Sequence, residues 1–284
     1  AGVLAVVLRE AAPGTVDWIV YAPGGPVSDF APFARAKAVL SLWAGVERIV
    51  QNPTLTLPLA RMVDPGLRQG MVEWVTGHAL RHHLGIDRHV LRREPEWRPE
   101  APKLATERPV TVLGLGELGL ACALALSGLG FPVTGWSRSP REEPRLARVF
   151  TGREGLAPAL RGAEIVVLLT PLTRQTENLM DAERLALPAR GFVLLNPGRG
   201  ALVDDDALLA ALEAGQVGHA TLDVFRQEPL PEGHPFWSHP RVTVTPHVAA
   251  ETRPATAVRA LAENVRRGEA GLALLHLVDR GAGY

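Results

Sequence analysis

Short runs of apolar residues alternate with segments of helical periodicity along most of this chain. In the first hundred residues the apolar runs lie at 3–8 (VLAVVL), 16–22 and 38–43, and we predict each of them as a buried strand. A short helix is predicted in GVERIVQ after the third run, and a longer one in MVEWVTGHALRHH from Met71. Residues 93–103, REPEWRPEAPK, are charged and rich in proline, which favours extended backbone, so we predict an inter-domain connection there.

A second series of apolar runs begins at Pro109. Helical segments, including LGLACALALSGLG and DDALLAALEAG, separate most of these runs, and a helix is predicted from about Thr252 to Glu269. Strands that alternate with helices indicate parallel βαβ units, so the fold class predicted is α/β with doubly wound parallel sheets. The predicted strands of this series are 109–114, 131–136, 164–170, 192–198, 219–224 and 242–246.

Composition narrows the class of protein. A chain of 284 residues is long enough for two domains or one large one, and 46% hydrophobic with 21% charged residues is ordinary for a globular protein. A formal net charge of zero gives no reason to expect nucleic acid or a membrane surface as a partner. No apolar run approaches the roughly 18 residues needed to span a bilayer, and AGVLAVVLRE lacks the basic leader of a signal peptide. We therefore expect a cytoplasmic protein, with the single cysteine, Cys122, as a core residue.

The stretch VTVLGLGELG fits the pattern G-x-G-x-x-G at Gly114, Gly116 and Gly119. It follows a predicted strand and opens a predicted helix, which is the context that a dinucleotide site requires. The first glycine allows a tight turn, the second lets a pyrophosphate approach the backbone, and the third lets helix and strand pack closely. Amides at the helix N-terminus then bind the phosphates. A plain tight turn is the alternative interpretation.

The stretch GWSRSP departs from the usual pattern of such sites. An acidic residue that binds the ribose 2′-hydroxyl of NAD is expected about 20 residues after the glycine turn. This chain has Ser137, Arg138 and Ser139 there instead. A carboxylate would repel the 2′-phosphate of NADP, whereas an arginine would bind it. We therefore predict that NADP(H) is preferred and NAD(H) possible; a solvated surface arginine is the alternative for Arg138.

Three motifs each close a predicted strand of the second series: LLNPGRG, LDVFRQEPLP and VTVTPHVAA. Ligands of open α/β sheets bind beyond the carboxyl ends of the strands, and there the motifs supply Arg199, Glu228 and His247. Arg199 would bind the carboxylate of a 2-oxo acid and polarise its carbonyl, and His247 would give a proton to the new alkoxide. Glu228 would orient the imidazole and favour its charged form. Taken singly, each has a simpler interpretation: charge compensation at a strand end, a loop carboxylate, or one of nine histidines.

His78 and His82 have the helical spacing of a metal-binding pair. HALRH lacks the glutamate of HExxH and has no obvious third ligand, so no metal is predicted. His82, His83 and His89 are expected to be solvated.

The motifs NPGRG, LDVFRQEP and TPHVA, downstream of GLGELG, are similar to the signatures of the D-2-hydroxyacid dehydrogenases. The resemblance extends over essentially the whole chain. SLWAGVERI, GWSRSP, EPLPEGHPFWSHPRV and VDRGAGY resemble the glyoxylate/hydroxypyruvate reductase A branch in particular. The resemblance implies that Arg199, Glu228 and His247 are the catalytic residues.

The resemblance also implies a cofactor site. In it Asp223 would contact the nicotinamide carboxamide, with a strand-end cap as the alternative, and Thr170 and Pro171 would line the dinucleotide. The predicted cofactor contacts are Gly114, Gly116, Glu117, Leu118, Gly119, Ser137, Arg138, Ser139, Thr170, Pro171, Thr176, Pro197, Gly198 and Asp223.

For the substrate, the resemblance implies a loop at Trp43, Ala44 and Gly45 whose backbone amides bind the carboxylate, together with Arg199 and His247. Trp43 as a pocket wall would favour acids of two or three carbons, whereas simple core packing of Trp43 is the alternative. Whether Arg61 or Met62 also reaches the pocket is left open by the sequence.

The resemblance implies two Rossmann/flavodoxin-like domains with the active site in the cleft between them. A discontinuous substrate domain would comprise residues 1–100 and 251–284, and an NADP-binding domain residues 101–250. Closure of the cleft would exclude water from the site. A homodimer through the nucleotide-binding domain is also implied.

The function predicted is NADPH-dependent reduction of small 2-oxo acids, glyoxylate to glycolate and hydroxypyruvate to D-glycerate. Two alternatives stay open: the same chemistry on a bulkier 2-oxo acid such as phenylpyruvate, and a non-catalytic dinucleotide-sensing protein on the same fold. The presence of arginine, glutamate and histidine together argues against the second alternative, because a pure binding protein has no need of all three.

Overall fold

The computed structural model describes residues 11–22, 24–92, 94–95 and 97–284. The strand predicted at 3–8 lies outside the described residues. The chain divides into two compact units. One consists of residues up to Leu67 together with Thr252–Tyr284, and the other is Arg68–Glu251.

Ten strands and seven α-helices are found within the described residues. The strands are β1 (Trp18–Tyr21), β2 (Ala38–Ser41), β3 (Leu59–Ala60), β4 (Val110–Leu113), β5 (Val133–Ser137), β6 (Arg148–Thr151), β7 (Ile165–Leu168), β8 (Phe192–Asn196), β9 (Val217–Leu222) and β10 (Val242–Val244). The helices are α1 (Pro65–His83), α2 (Ile86–Val90), α3 (Glu117–Gly128), α4 (Leu156–Leu160), α5 (Ala182–Leu185), α6 (Asp205–Glu213) and α7 (Pro254–Glu269).

The first unit contains a parallel sheet in the order β1-β2-β3. All residues of the central strand β2 are buried, as its apolar sequence predicts. The predicted helix GVERIVQ is wrong: the backbone makes a single turn, in which the amides of Ile49 and Val50 donate to the carbonyl of Val46. Pro53 follows two residues after this stretch and disfavours helical backbone in the residue before it, which limits the turn.

The second unit contains a seven-stranded parallel sheet in the order β10-β9-β8-β7-β4-β5-β6. Chain progression runs one way from β4 to β6 and the other way from β7 to β10, so the winding reverses between β4 and β7. Loops diverge at such a reversal and leave a crevice at the carboxyl ends of the strands. The predicted α/β class with parallel sheets is confirmed.

Central strands of this sheet are buried on both faces, which explains their continuous apolar sequences. Val110 and Val112 of β4 pack in the core that α1 and α3 cover, whereas Leu113 packs in the core that α4 and α6 cover. Side chains alternate between the faces of a strand, so each face receives every second residue. Two layers of helices therefore hold the sheet rigid and fix where its strand ends lie.

Helix α1 belongs to the core of the second unit. Met71, Val75 and Ala79 are buried in the same core as Val112 and Cys122. The compact units accordingly divide at residues 67 and 68. The physical reason is that the apolar stripe of α1 packs on the seven-stranded sheet, upstream of the proline-rich connection. The domain boundary near residue 100 stays a prediction.

Cys122 lies on α3 and is completely buried, which confirms its predicted place in the core. Burial disfavours the thiolate and raises the pKa of Cys122 to about 12. Among the described residues, no helix combines the length and the apolar character that crossing a membrane requires.

Candidate functional site

The glycine turn between β4 and α3 has the shape that its sequence predicts. Gly114 has a φ of +101°, and a Cβ on it would lie 2.6 Å from the carbonyl of Leu169. A Cβ on Gly119 would lie 1.7 Å from the carbonyl oxygen of Gly114, so neither position accepts a side chain. Gly116 differs, because it is exposed and no heavy atom lies within 4 Å of where its Cβ would be. The turn is therefore closed on its protein side and open at Gly116, where a phosphate group can approach.

The loop after β7 lies beside this turn. Thr170 is buried, and its Oγ1 has no hydrogen-bond partner within the described part of the chain. A buried hydroxyl without a partner is costly, so a ligand that bonds to it would be favoured. Thr176 has a different role, since its Oγ1 donates to the carbonyl of Pro171 at 2.7 Å and accepts from the amide of Thr173 at 2.8 Å. These bonds fix the shape of the loop.

The end of β5 carries the stretch that lacks an acid. Ser137 is half-buried, and Arg138 and Ser139 are exposed. Arg141, which follows shortly after, donates from Nη1 to the carbonyl oxygen of Leu115 at 2.5 Å. This contact brings a second guanidinium to the glycine turn. Sequence reasoning did not include Arg141 in the site, although its closeness to Arg138 in the chain was a signal.

Arg199 follows β8 in a turn held by Asn196. The buried Asn196 side chain accepts from the amide of Gly198 at 3.1 Å and donates to the carbonyl of Arg199 at 3.0 Å. A Cβ on Gly200 would lie 2.0 Å from the backbone of Phe225, so the Arg199 turn packs directly on the loop after β9. Asn196 was missed from the sequence, because an asparagine at a strand end has no distinctive pattern.

Glu228 and His247 form a hydrogen-bonded pair. The Nδ1 of His247 lies 2.7 Å from Oε2 of Glu228, and Oε1 of Glu228 accepts from the amide of Phe225 at 2.9 Å. The side chains are 43% exposed for His247 and 27% exposed for Glu228, so the pair is accessible from solvent. With Nδ1 directed at a carboxylate, Nε2 is the ring nitrogen that can face a substrate.

Asp223, at the end of β9, is completely buried. Its carboxylate accepts from the amides of Val248 and Ala249 at 2.9 Å each, and its carbonyl accepts from the amide of His247 at 2.8 Å. These contacts are those of the strand-end alternative. The contact with a nicotinamide carboxamide stays a prediction.

All of these loops leave the same edge of the sheet. The order of the strands places the ends of β5, β4, β7, β8, β9 and β10 in a row. Neighbouring strands lie about 4.8 Å apart, so the ends of β5 and β9 are roughly 19 Å apart. The serine–arginine stretch thus stands at one end of the row, the Arg199, Glu228 and His247 group at the other, and the glycine turn between them.

The predicted substrate loop lies in the first unit, after β2. Trp43 is 42% exposed, so its alternative interpretation as a core residue is wrong. Its amide donates to Oγ of Ser41 at 3.1 Å, and its carbonyl accepts from the amide of Met62 at 3.0 Å. Met62 is buried, and the amide of Arg61 donates to the carbonyl of His276 at 3.0 Å. The backbone of the loop is therefore held in place while the indole faces outward.

The prediction that His82 and His83 are solvated is wrong. His83 is buried, and its ring packs edge-on against Phe131 with centroids 5.0 Å apart. His82 bonds through Nε2 to Oγ1 of Thr221 at 2.9 Å, and its ring centroid lies 4.6 Å from that of His219. Both side chains face the sheet, because each continues one of the two rows of α1 side chains that point inward. Only His89 of the three is exposed.

Burial controls the charge of the paired histidines. Desolvation, with the nearby imidazole of His219 and guanidinium of Arg81, lowers the pKa of His82 to about 3. Desolvation and Arg81 also lower the pKa of His219 to about 4. Both rings are thus neutral at physiological pH. No group of three or more side chains that could hold a metal ion occurs among the described residues.

A glycine turn at the reversal of a doubly wound sheet, with an arginine and a histidine–glutamate pair on the same edge, defines a dinucleotide-dependent oxidoreductase unit. Residues 75–249 match the family model for the NAD-binding domain of D-isomer specific 2-hydroxyacid dehydrogenases. The chain belongs to the D-isomer specific 2-hydroxyacid dehydrogenase family.

Relatives with assigned names are similar over most of this chain. A glyoxylate/hydroxypyruvate reductase A of Serratia proteamaculans (strain 568) is 40% identical over 258 residues, which cover 88% of this chain and 82% of the relative. A D-isomer specific 2-hydroxyacid dehydrogenase of Xanthobacter autotrophicus Py2, solved in complex with NADPH and MES, superposes with a TM-score of 0.92. It is 43% identical, with 97% of this chain and 87% of that one covered.

An NADPH-dependent glyoxylate/hydroxypyruvate reductase of Sinorhizobium meliloti, solved with NADP and sulfate, superposes with a TM-score of 0.85. It is 36% identical, and the match covers 95% of this chain and 87% of that one. These comparisons support the predicted resemblance to the reductase A branch.

Proposed function

We propose that this protein reduces small 2-oxo acids with NADPH, taking glyoxylate to glycolate and hydroxypyruvate to D-glycerate. The observation that carries the proposal is the His247–Glu228 pair, 2.7 Å apart, on the same sheet edge as the open glycine turn. The reductase names of the similar proteins support this choice of substrate class.

In the proposed reaction His247 supplies the proton. Its Nε2 donates to the carbonyl oxygen of the substrate as negative charge develops there, while Nδ1–H stays bonded to Glu228. Glu228 thereby fixes the orientation of the ring. Arg199 presents a planar guanidinium that can bind the substrate carboxylate with two parallel hydrogen bonds and polarise the adjacent carbonyl.

The residues fit a nicotinamide dinucleotide. The space at Gly116 admits a pyrophosphate beside the first amides of α3, and the unpartnered hydroxyl of Thr170 lies next to that turn. When bound, the cofactor supplies the hydride that reduces the carbonyl carbon. Further contacts are proposed from Glu117, Leu118, Gly119, Pro171, Thr176, Pro197, Gly198 and Asp223.

We propose that the serine–arginine stretch after β5 selects NADPH. Ser137 and Ser139 can donate hydrogen bonds to a 2′-phosphate, and Arg138 can pair with it. No carboxylate stands at these positions to repel that phosphate. NADPH and NADP are the ligands of the two similar solved structures, which supports this preference.

For the substrate we propose further contacts with Trp43, Ala44 and Gly45. The exposed indole of Trp43 is large enough to limit the side chain of a bound acid, which supports C2 and C3 substrates over phenylpyruvate. The predicted location of the active site in an inter-domain cleft, and the cytoplasmic location, remain predictions.

We also propose a division of roles in which the nucleotide-binding domain corresponds to the unit Arg68–Glu251 and the substrate domain to the other unit. A homodimer through the nucleotide unit is proposed as well. Its support is the set of exposed apolar side chains around α2 and the connection after it, Leu84, Ile86, Val90, Leu91, Trp97 and Leu104. Light scattering of the purified protein measures this directly.

A panel of substrates tests the proposed function. Oxidation of NADPH and of NADH is followed with glyoxylate, hydroxypyruvate, pyruvate and phenylpyruvate. We expect the highest kcat/KM with glyoxylate or hydroxypyruvate, and at least about a tenfold advantage for NADPH over NADH. A preference for phenylpyruvate would favour the alternative substrate class. NADPH binding without oxidation by any acid would favour the dinucleotide-sensing alternative.

A further inference from the structure

Helix α1 presents two inward-facing stripes of side chains. Residues four apart lie on one face of a helix, and Met71, Val75 and Ala79 form the apolar stripe of the core. A second stripe, made of Trp74, His78 and His82, is polar. It faces threonines of the last two strands: His82 bonds to Thr221 of β9 at 2.9 Å, and Trp74 donates from Nε1 to Oγ1 of Thr245, just after β10, at 3.3 Å.

The contact between Trp74 and Thr245 is the first step of a hydrogen-bond relay. Oγ1 of Thr245 lies 2.5 Å from Oδ1 of Asp223. An indole N–H can only donate, so the threonine oxygen accepts from it and the hydroxyl hydrogen is left for the carboxylate. The threonine hydroxyl accepts from Trp74 and donates to Asp223. We call this chain of side chains the Trp74–Thr245–Asp223 relay.

The relay ends on the loop that carries the proposed proton donor. Oδ1 of Asp223 also accepts from the amide of Val248, and Oδ2 accepts from the amide of Ala249. His247 lies between Thr245 and these two amides, and it has a φ of +56°, a left-handed conformation that costs energy for a residue other than glycine. The surrounding hydrogen bonds therefore have to hold the backbone in the shape that directs the imidazole toward Glu228.

We propose that Thr245 and Trp74 are positioning residues for His247. By fixing the Asp223 carboxylate, the relay sets the place of the 245–249 loop and thus of the His247 imidazole against Glu228. The proposal rests on the proposed function, in which His247 donates the proton. A displacement of about 1 Å in a reacting group can cost about a hundredfold in rate, so a relay that prevents such a displacement affects turnover without contacting the substrate.

Three variants with matched chemistry test the relay. Thr245→Val keeps the volume but removes the hydroxyl, Thr245→Ser keeps the hydroxyl, and Trp74→Phe removes only the indole donor. We expect Thr245→Val to lower kcat about 10- to 100-fold, Thr245→Ser to stay within about twofold, and Trp74→Phe to lower kcat about two- to fivefold. The affinity for adenosine 2′,5′-bisphosphate, which lacks the nicotinamide that Asp223 is proposed to contact, should change in none of them when measured by calorimetry.

The double variant Trp74→Phe with Thr245→Val distinguishes a relay from two independent contacts. If both hydrogen bonds act through the Thr245 hydroxyl, its removal already breaks the bond from Trp74. The double variant should therefore have the kcat of Thr245→Val within about twofold. Losses that multiply would overturn the relay, and so would a kcat for Thr245→Val within about twofold of the wild type.

The split between kcat and KM separates positioning from a general loss of structure. A displaced His247 ring weakens an interaction needed in the transition state, so Thr245→Val should lower kcat and kcat/KM by about the same factor. Thr245→Ser should keep the wild-type values of both. A rise in KM as large as the fall in kcat would show that the relay is merely structural and would contradict the proposal.

Gly70→Ala gives a second route if Thr245→Val does not fold. A Cβ on Gly70 of α1 would lie 3.3 Å from the carbonyl oxygen of Ala249, which forces the loop to shift by a few tenths of an ångström. Alanine is the better helix former, so no loss of stability is expected from the helix itself. We expect kcat and kcat/KM to fall by about the same factor; wild-type values of both would count against control of the loop by α1.

Amide hydrogen exchange tests the relay without any turnover. Loss of the Thr245 hydroxyl should speed exchange at Val248 and Ala249 about tenfold or more, while the amides of β4 stay protected. If the wild type reduces no 2-oxo acid but exchange rises in Thr245→Val, the proposed function fails and the relay stands. Unchanged exchange would overturn the relay whatever the activity.

Discussion

The carboxyl ends of the strands in the seven-stranded sheet form a row, and the two ends of this row are built differently. At the end proposed to bind the adenosine, Arg138 and Ser139 are exposed and Gly116 faces open space. At the catalytic end, His247 and Glu228 touch each other and rest on buried polar groups. Asn196 and Asp223, which hold the turns there, are 1% and 0% exposed.

This difference follows from what each end has to do. A phosphate carries its own charge and can be bound by flexible side chains and backbone amides that adapt to it. Proton transfer needs donor and acceptor at a fixed distance, so the side chains that perform it require further groups to hold them. The two ends should therefore fail separately when they are altered.

The largest effect is expected at the catalytic end. His247→Ala removes the proton donor, which should lower kcat about 10²- to 10⁴-fold with either cofactor. NADPH binding and the ratio of NADPH to NADH efficiency should not change, because the adenosine end is untouched. His89→Ala, at an exposed histidine of α2, is the matched control. Near-wild-type turnover in His247→Ala would refute its role as acid.

At the adenosine end we expect a smaller effect, which changes the cofactor preference and leaves kcat unchanged. Arg138→Asp places a carboxylate where the 2′-phosphate is proposed to bind, which should change the ratio of NADPH to NADH efficiency about 10- to 100-fold in favour of NADH. The kcat with saturating NADH should stay near the wild-type value. Arg161→Asp makes the same charge change at an exposed residue after α4 and serves as the control. If the ratio of NADPH to NADH efficiency does not change, another group, such as Arg141, binds the 2′-phosphate.

The smallest effect concerns the free energy of unfolding and the buried pair of His82 and His219. His82 and His219 stay neutral in the folded protein down to about pH 3 and about pH 4 respectively, whereas in the unfolded chain they bind protons below about pH 6.5. The unfolded state thus gains protons first, so the free energy of unfolding should fall as the pH drops from about 6.5 towards 4. The upper limit is about 1.4 kcal/mol per pH unit for each histidine, and solvent screening reduces it.

Thermal unfolding between about pH 7.5 and pH 4.5 measures this slope, and the expected change in Tm is several degrees. His219→Gln should make the slope shallower. His89→Gln, which removes an exposed histidine, should leave it unchanged. Equal slopes in all three proteins would show that the buried pair does not set the acid sensitivity.

Local chemistry made much of the site predictable. The glycine turn could be placed because steric limits at Gly114 and Gly119 act over a few residues. Arg199, Glu228 and His247 could be placed because each follows a strand, and parallel strands end at one edge of a sheet. Long apolar runs such as β4 and β7 were found for the same reason: burial on both faces leaves a clear pattern.

Contacts between residues that are far apart in sequence could not be predicted from local patterns. Trp74 and Thr245 are 171 residues apart in sequence, and nothing in either local pattern indicates the bond between them. The apolar stripe of α1 predicted a buried helix but not which sheet would bury it. His83 was misassigned although it continues the stripe of Met71, Val75 and Ala79 at the same spacing, a signal that could have been used.

Some short elements could not be predicted from the sequence. β3 has two residues and α4 five, which is too few for a periodic pattern to emerge. β6 is an edge strand without a buried residue, so it lacks the apolar run that marks the central strands. Their formation depends on neighbours: β6 pairs along its whole length with β5, and the buried side chains of α4 pack on the sheet.

The buried cysteine has a practical consequence for work with this enzyme. Thiol reagents act on exposed thiolates, and Cys122 offers neither exposure nor ready ionisation. Because it is the one cysteine of the chain, the folded protein should behave towards such reagents as if it had none. A single cysteine introduced at an exposed position would then be the only site to take up a fluorophore or spin label, without prior engineering of the background.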